Sequence, residues 1–165
     1  MKLSTRSRYG LRAMVHLAAL SRRNSCRDCD SAAHSLKTIA SATGISEFYL
    51  DQIFTPLKAA GFIRAARGKN GGYFLNKPCK DISAGDVLRA LEGSLYPVEC
   101  LAGEDGEERA ECLCGSECGG CVTKGVWAKM YEGLSRAADA ITLDALAEEY
   151  SEKNRETIEL TGDDL

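Results

Sequence analysis

ISEFYLDQIFTPLKAAGFIRAARGKNGGYFL, residues 45–75, is the stretch on which the fold turns. Leu50, Ile53, Phe54 and Leu57 recur at i, i+3, i+4 and i+7, the spacing of one buried helical face. Ser46 stands where an N-cap belongs, and Gly61 is the stop. Pro56 removes a backbone donor, which predicts a kink or a last turn begun afresh. Two β-type runs follow at once, Phe62 to Ala66 and Gly72 to Leu75, around the glycine-rich basic turn Arg67-Gly68-Lys69-Asn70-Gly71. Upstream, Leu36 to Thr43 is a short helix with Leu36, Ile39 and Ala40 inward, ended by Gly44. The order is helix, glycine turn, helix, hairpin: a winged helix-turn-helix.

Outward from this centre the chain is mainly α. Residues 5–21 predict a first helix, with Leu11, Met14, Val15 and Ala18 on one face, Arg8 and Arg12 on the other, and His16 in the core. The polar stretch Ser21–Ser35 holds Cys26, Cys29 and His34. Its C-x-x-C is read either as part of a second metal site or redox pair, or as two incidental surface thiols. Cys79 reads as inert. Ser83 with Asp86 caps another helix, which Gly93 stops. After a Gly- and Glu-rich cysteine loop, Val98 to Cys121, a long helix carries Trp127, Met130, Leu134, Ala137 and Ile141. Those steps of three and four form a two-heptad seam that suits a second copy of the chain. Thr142 to Glu149 reads as a last short helix, followed by a frayed acidic tail. The expected units are a DNA-binding domain over 1–80, a connecting helix and sensor loop over 81–121, a dimerisation helix over 122–150 and the tail over 151–165.

With 44% hydrophobic and 27% charged residues the composition is that of a globular protein. The net charge of −3 conceals an asymmetry: residues 1–80 carry 14 Lys+Arg against 4 Asp+Glu, and residues 81–165 carry 7 against 20. A basic half joined to an acidic one points an electrostatic face at phosphate. No secretion signal opens the chain, and no stretch nears the roughly 18 apolar residues of a membrane span, so a cytoplasmic protein is expected. In that compartment eight cysteines read as metal ligands or redox thiols rather than a disulfide framework. No catalytic constellation is present, and a non-enzyme is expected.

In this fold the second helix enters the major groove. With Leu50, Ile53, Phe54 and Leu57 inward, Ser46, Glu47, Phe48, Tyr49, Asp51, Gln52 and Thr55 are left to be shared between duplex DNA and partial burial, and Ser46, Tyr49 and Gln52 can donate to phosphate or bases. Asp51 accepts from a cytosine amino group but is repelled by phosphate, so it specifies more than it binds. Arg6, Arg8, Arg67 and Lys69 supply affinity through counterion release.

Four runs resemble the IscR, NsrR and CymR family of regulators: Ser4-x-x-x-Arg8-Tyr9-Gly10-Leu11-Arg12-Ala13-Met14, Ile45-Ser46-x-x-Tyr49-Leu50-Asp51-Gln52-Ile53-Phe54, Ala60-Gly61-Phe62-Ile63 and Arg67-Gly68-x-x-Gly71-Gly72-Tyr73-x-Leu75. Val98-Glu99-Cys100-Leu101 and Cys121-Val122-Thr123-x-x-Val126-Trp127 look like the family's cysteine loop and helix start, so the likeness covers roughly residues 1–147. It implies a homodimeric repressor or activator on a palindromic operator. The family's reading positions fall on Ser46, Tyr49, Asp51 and Arg67. Relatives often carry Glu at the third of these, one methylene longer. Many members hold an iron–sulfur cluster on three loop cysteines and a variable fourth ligand. Cys100 and Cys121 match the first and last, and Cys114 lies nearest the middle one. The branch-specific fourth ligands are replaced here by Lys124 and Arg8, which leaves an additional cysteine to serve.

The loop itself reads C-x11-C-x-C-x3-C-x2-C over Cys100, Cys112, Cys114, Cys118 and Cys121. Clustered thiolates suit an iron–sulfur cluster (2Fe-2S or 4Fe-4S) and Zn²⁺ alike. Three readings follow: a regulator sensing redox state or iron through a cluster, a zinc-structured or thiol-switched regulator without one, and an iron–sulfur carrier. The helix-turn-helix and wing argue against the third.

Overall fold

The computed structural model describes residues 3–23, 33–68, 71–101 and 121–162, with the backbone alone for 23 and 156–162. Cys26, Cys29, Lys69, Cys112, Cys114 and Cys118 lie outside the described residues. The elements run α1 (Thr5–Arg23), α2 (Leu36–Thr43), α3 (Glu47–Ala59), β1 (Ile63–Ala66), β2 (Gly72–Leu75), α4 (Ala84–Glu92), α5 (Lys124–Asp139) and α6 (Leu143–Gly162), with 3-10 turns at Cys79–Asp81 and Glu99–Leu101. The architecture is a winged helix-turn-helix, mainly α, as expected.

The turn between α2 and α3 is made by local chemistry. Ser35 Oγ accepts from Thr38 N to start α2, and Gly44, at φ 69°, returns its N–H to Ala40 O. That left-handed conformation favours glycine. Ser46 Oγ then accepts from Tyr49 N at 3.3 Å, and Leu50, Ile53, Phe54 and Leu57 become fully buried. Pro56 does not end α3, which runs on to Ala59. It deprives Gln52 O of its intrahelical donor, and the Arg6 guanidinium donates to that oxygen from α1 at 3.3 Å.

β1 and β2 pair antiparallel, with Ile63 opposite Leu75 and Ala65 opposite Tyr73. The sheet has a third partner in His34, which exchanges both backbone hydrogen bonds with Tyr73, N to O at 2.9 Å and O to N at 2.8 Å. Gly72 makes that approach feasible, since a Cβ there would lie 2.4 Å from His34 O.

α1 is the central helix. Ala13, Met14, Leu17 and Ala18 are fully buried, and Leu143 and Ala147 of α6 close over it. Arg22 is ion-paired with Asp144 across the α1–α6 seam. This docking corrects the expected C-terminal half. The segment expected as the dimerisation unit over 122–150 contains two helices, as the separate last helix expected from Thr142 implies, and they part where Ala84 N donates to Ile141 O at 2.8 Å and Leu143 N to Ile82 O at 2.9 Å. α6 is far longer than the short helix expected, and its helical backbone continues to Gly162 through much of the expected tail. α5 stands on α4 through Arg89–Asp139 and on the segment that follows α4 through Tyr96 on Tyr131, rings 4.4 Å apart. Ser83 and Asp86 form the capping box that starts α4.

His16 is a core histidine, as read from the sequence: 8% exposed, with Nδ1 3.2 Å from Tyr150 OH on α6. Burial, and then the like charge of His34, hold its pKa below the ordinary 6.5. The unfolded chain therefore binds a proton more readily than the folded one, and stability rises with pH over the interval between the two pKa values. The thermal midpoint is expected to be flat above pH 6.5 and to fall as pH drops below it. His16→Asn keeps an acceptor for Tyr150 without the titration, and is expected to flatten that slope. Calorimetric scans of both proteins between pH 8 and 5.5, at about 0.5-unit intervals, check this; equal slopes would remove His16 as the cause.

Candidate nucleic-acid interface

The buried face of α3 leaves Ser46, Glu47, Phe48, Asp51, Gln52 and Thr55 exposed along the opposite face. Tyr49 is half-buried, its ring edge-on to Tyr9 of α1 at 6.0 Å. Ser46 divides its chemistry: Oγ caps the helix, and its exposed hydroxyl keeps a proton to donate. Gln52 presents its amide outward while its carbonyl is held by Arg6. Asp51 is less free than its exposure suggests, because Tyr73 OH donates to its Oδ1 at 3.0 Å from the wing. Burial first, and then that bond to Asp51, push the Tyr73 hydroxyl above its ordinary pKa of 10.0, so it stays a donor.

The hairpin lies beside α3. Arg67 is exposed at the turn, and Arg64 on β1 lies 4.4 Å over the Phe74 ring. Arg6 and Arg8 are exposed on the first turn of α1, where Arg8 donates to Thr5 Oγ1 at 3.1 Å. That turn is fastened from α4: Glu92 Oε1 accepts from Ser4 N at 2.8 Å and from Ser7 Oγ. Hydrogen bonds from Ser4 and Ser7 hold the Glu92 carboxyl below its usual range. All the described candidate DNA-contacting residues thus belong to three adjacent elements, the start of α1, α3 and the wing. Lys69 lies outside the described residues.

Of the residues left to groove or partial burial, Phe48 is the one whose residue type assigned it no role on DNA. Phe48 is 76% exposed on the first turn of α3, between Ser46 and Asp51. An exposed phenyl there is suited to a thymine methyl. The available signal was its place just outside the buried i, i+3, i+4 stripe, one position before Tyr49.

Of the cysteine site, the structure describes the two ends. Cys100 lies in the Glu99–Leu101 turn, anchored by buried Leu101, and Cys121 sits just ahead of α5 with Sγ 3.2 Å from Thr123 Oγ1. Both are half-buried. Among the described residues no three His, Cys, Asp or Glu side chains gather as a metal site. The donor set is nonetheless chemically suited: two partly shielded thiols frame a segment whose sequence supplies three more, the soft ligands of iron–sulfur clusters and zinc.

Outside this interface, Val122 (90% exposed) precedes α5, α5 presents Val126 (53%) and Met130 (56%), and Ile141 (44%) follows it. Met130 and Ile141 belong to the expected seam, while Trp127 and Leu134 are half-buried. No helix among the described residues is long and apolar enough to cross a membrane.

Residues 3–149 match the family model Rrf2, described as an iron-dependent transcriptional regulator. The transcriptional regulator CymR of Bacillus subtilis is 35% identical over 147 residues, which is 89% of this chain and 90% of that protein. The solved structure of CymR, the global cysteine regulator of B. subtilis, superposes with a TM-score of 0.67 at 34% identity, covering 90% of this chain and 98% of that one. The structure of T. potens IscR gives a TM-score of 0.66 at 33% identity, over 93% and 90% of the two chains.

Proposed function

The chain belongs to the Rrf2 family of transcriptional regulators, and from that premise we propose that it binds a palindromic duplex as a homodimer, under the control of an iron–sulfur cluster on its cysteine loop. The observation that carries the DNA-binding half is the row of exposed side chains on α3 beside the exposed arginines of the wing. α3 lies in the major groove, with Ser46, Tyr49, Asp51 and Gln52 toward base edges and backbone, and Arg67 and Lys69 reach the flanking phosphates or minor groove. Arg8 binds phosphate, and Arg6 does so while closing the carbonyl of Gln52. The acidic half of the chain is kept away from the duplex.

The sensing half rests on the loop's donor set. Cys100 and Cys121, with ligands from Cys112, Cys114 and Cys118, hold the cluster. When bound, the cluster supplies a redox-labile, oxidisable centre in place of free thiols. The chain's own residues give that loop a route to the DNA face. Cys121 leads into α5, α5 is ion-paired to α4 through Asp139 and Arg89, and Glu92 of α4 secures the turn that carries Arg6 and Arg8.

The test is anaerobic purification with iron and sulfide analysis. Retardation of one duplex at fixed salt is then compared before and after the cluster is stripped by a chelator. A coloured protein whose affinity changes by about 10-fold or more on stripping supports the proposal. Equal affinity in both forms refutes cluster control. A second reading is favoured by the likeness to a protein described as a cysteine regulator: the loop thiols act by oxidation, or hold zinc, without iron. A colourless protein whose DNA binding follows thiol oxidation or zinc content would establish it instead.

A further inference from the structure

Asp51 and Tyr73 meet across two elements that touch DNA in different ways. Asp51 is on the exposed flank of α3, and Tyr73 is in the middle of β2 in the wing. We infer that Tyr73 is a positioning residue for sequence discrimination: its hydroxyl holds the Asp51 carboxylate in one orientation, so that the remaining oxygen meets a base amino group.

The inference rests on the proposed major-groove placement of α3 and deepens it. A short acidic side chain between two phosphate strands is pushed away from the groove by repulsion and is free to rotate about χ1 and χ2. A neutral donor bound to one carboxylate oxygen opposes both, without removing the charge that makes the other a strong acceptor.

Tyr73 is built to be that donor. Its N–H and C=O are both paired with His34, so the backbone beneath it is fixed on the sheet. Its ring packs on the fully buried Phe54, centroids 4.8 Å apart at 64°. Phe54 lies three residues from Asp51 on α3, so the donor is seated on the helix it serves. The 3.0 Å bond from Tyr73 OH to Oδ1 leaves Oδ2 for DNA. An acceptor so held selects cytosine N4 or adenine N6 amino groups and rejects guanine O6 and thymine O4. Side-chain length matters here. At this site Asp51 is within reach of Tyr73 OH, and Asp51→Glu would carry the carboxylate past it.

Operators are first selected with the wild-type protein from a randomised duplex pool. Wild type, Tyr73→Phe, Asp51→Ala and the double variant are then compared on the selected duplex and on duplexes changed at each single position. Wild type is expected to discriminate at one pair by about 10-fold or more, and Tyr73→Phe to lose most of that ratio there and nowhere else. Binding to an unrelated duplex, and its salt dependence, stay unchanged. The two substitutions should be non-additive, Tyr73→Phe having no further effect on discrimination once Asp51 is Ala. Thermal scans confirm that each variant is folded.

If Tyr73→Phe keeps the wild-type ratio at every position, the inference is overturned. It is equally overturned if affinity falls uniformly on all duplexes, which would mark a merely structural role. If the wild-type protein selects no duplex at all, it is the DNA-binding reading that fails.

Discussion

Glutamate at both Val126 and Met130 is expected to leave the chain monomeric and to weaken its hold on a palindromic duplex by about two orders of magnitude or more. The two residues lie one helical turn apart on α5, each more than half exposed, between Val122 and Ile141. The opposite side of the same helix is already occupied by α4 and the Tyr96 ring. A narrow apolar strip on an otherwise polar helix is suited to its own copy related by a two-fold axis. The symmetry enlarges the perturbation, because each substitution enters the proposed interface twice and brings four carboxylates together there. Since both positions are exposed in the single chain, its own stability is expected to change by no more than about 0.5 kcal/mol. The loss on DNA comes from connectivity, because a monomer on one half-site forfeits the effective concentration that delivers the second. Sedimentation reads the oligomeric state, and retardation on whole-site and half-site duplexes reads the affinity. The double variant should bind both duplexes equally, with the wild-type protein far tighter on the whole site. A variant that remains dimeric with wild-type affinity would move the interface off α5.

The elements legible in the sequence are those whose signals are local. Gly44, Ser46 and Gly61 act within a few residues of where they stand, so the helix-turn-helix follows from them directly. The wing is legible for the same reason, its turn chemistry lying between its two strands. What sequence does not show is tertiary: the last helix is expected near its observed start, but neither its length nor the contacts that part it from α5 are local. The break after α5 is made by backbone pairing of Ile141 and Leu143 with Ala84 and Ile82, on the other side of the cysteine loop. The 3.5-residue period continued through it undisturbed, which is why the seam was carried to Ile141. Pro56 reads locally as a fault in α3, and the donor that meets the carbonyl it leaves open, Arg6, arrives from α1. At the proposed DNA face, residue type makes Asp51 a candidate reader. Its donor, Tyr73, belongs to another element, and the Tyr73 of the quoted wing motif carries no sign of that role. Of the cysteine loop, residue type makes the set of thiol donors legible, and the structure adds the seating of Cys100 and Cys121 at its two ends.

Phe54→Ala is expected to cost about 3–5 kcal/mol, a large part of the roughly 5–15 kcal/mol that keeps an ordinary domain folded. The ring is fully buried, lies between Leu50 and Leu57 on the inner face of α3, and carries Tyr73 on its edge. Its removal opens a cavity where the recognition helix meets the wing, and neither neighbour can refill it without moving. At a urea slope of about 2 kcal/mol/M the unfolding midpoint should fall by roughly 2 M at fixed protein concentration, with the slope unchanged. Because Tyr73 loses its seat, discrimination at the base pair facing Asp51 should weaken in whatever fraction remains folded. Phe48, six residues earlier on the same helix, gives the opposite result from the same substitution. It is 76% exposed, so Phe48→Ala should shift stability by no more than about 0.5 kcal/mol. Its effect belongs on DNA, as a lost preference for thymine over uracil at the pair it covers, because only thymine carries the methyl group. Two phenylalanines on one helix would thus separate the residue that holds α3 in place from the residue that α3 holds out. Equal losses of stability at both sites would mean that Phe48 is covered in the assembled protein, and would withdraw it from the DNA face.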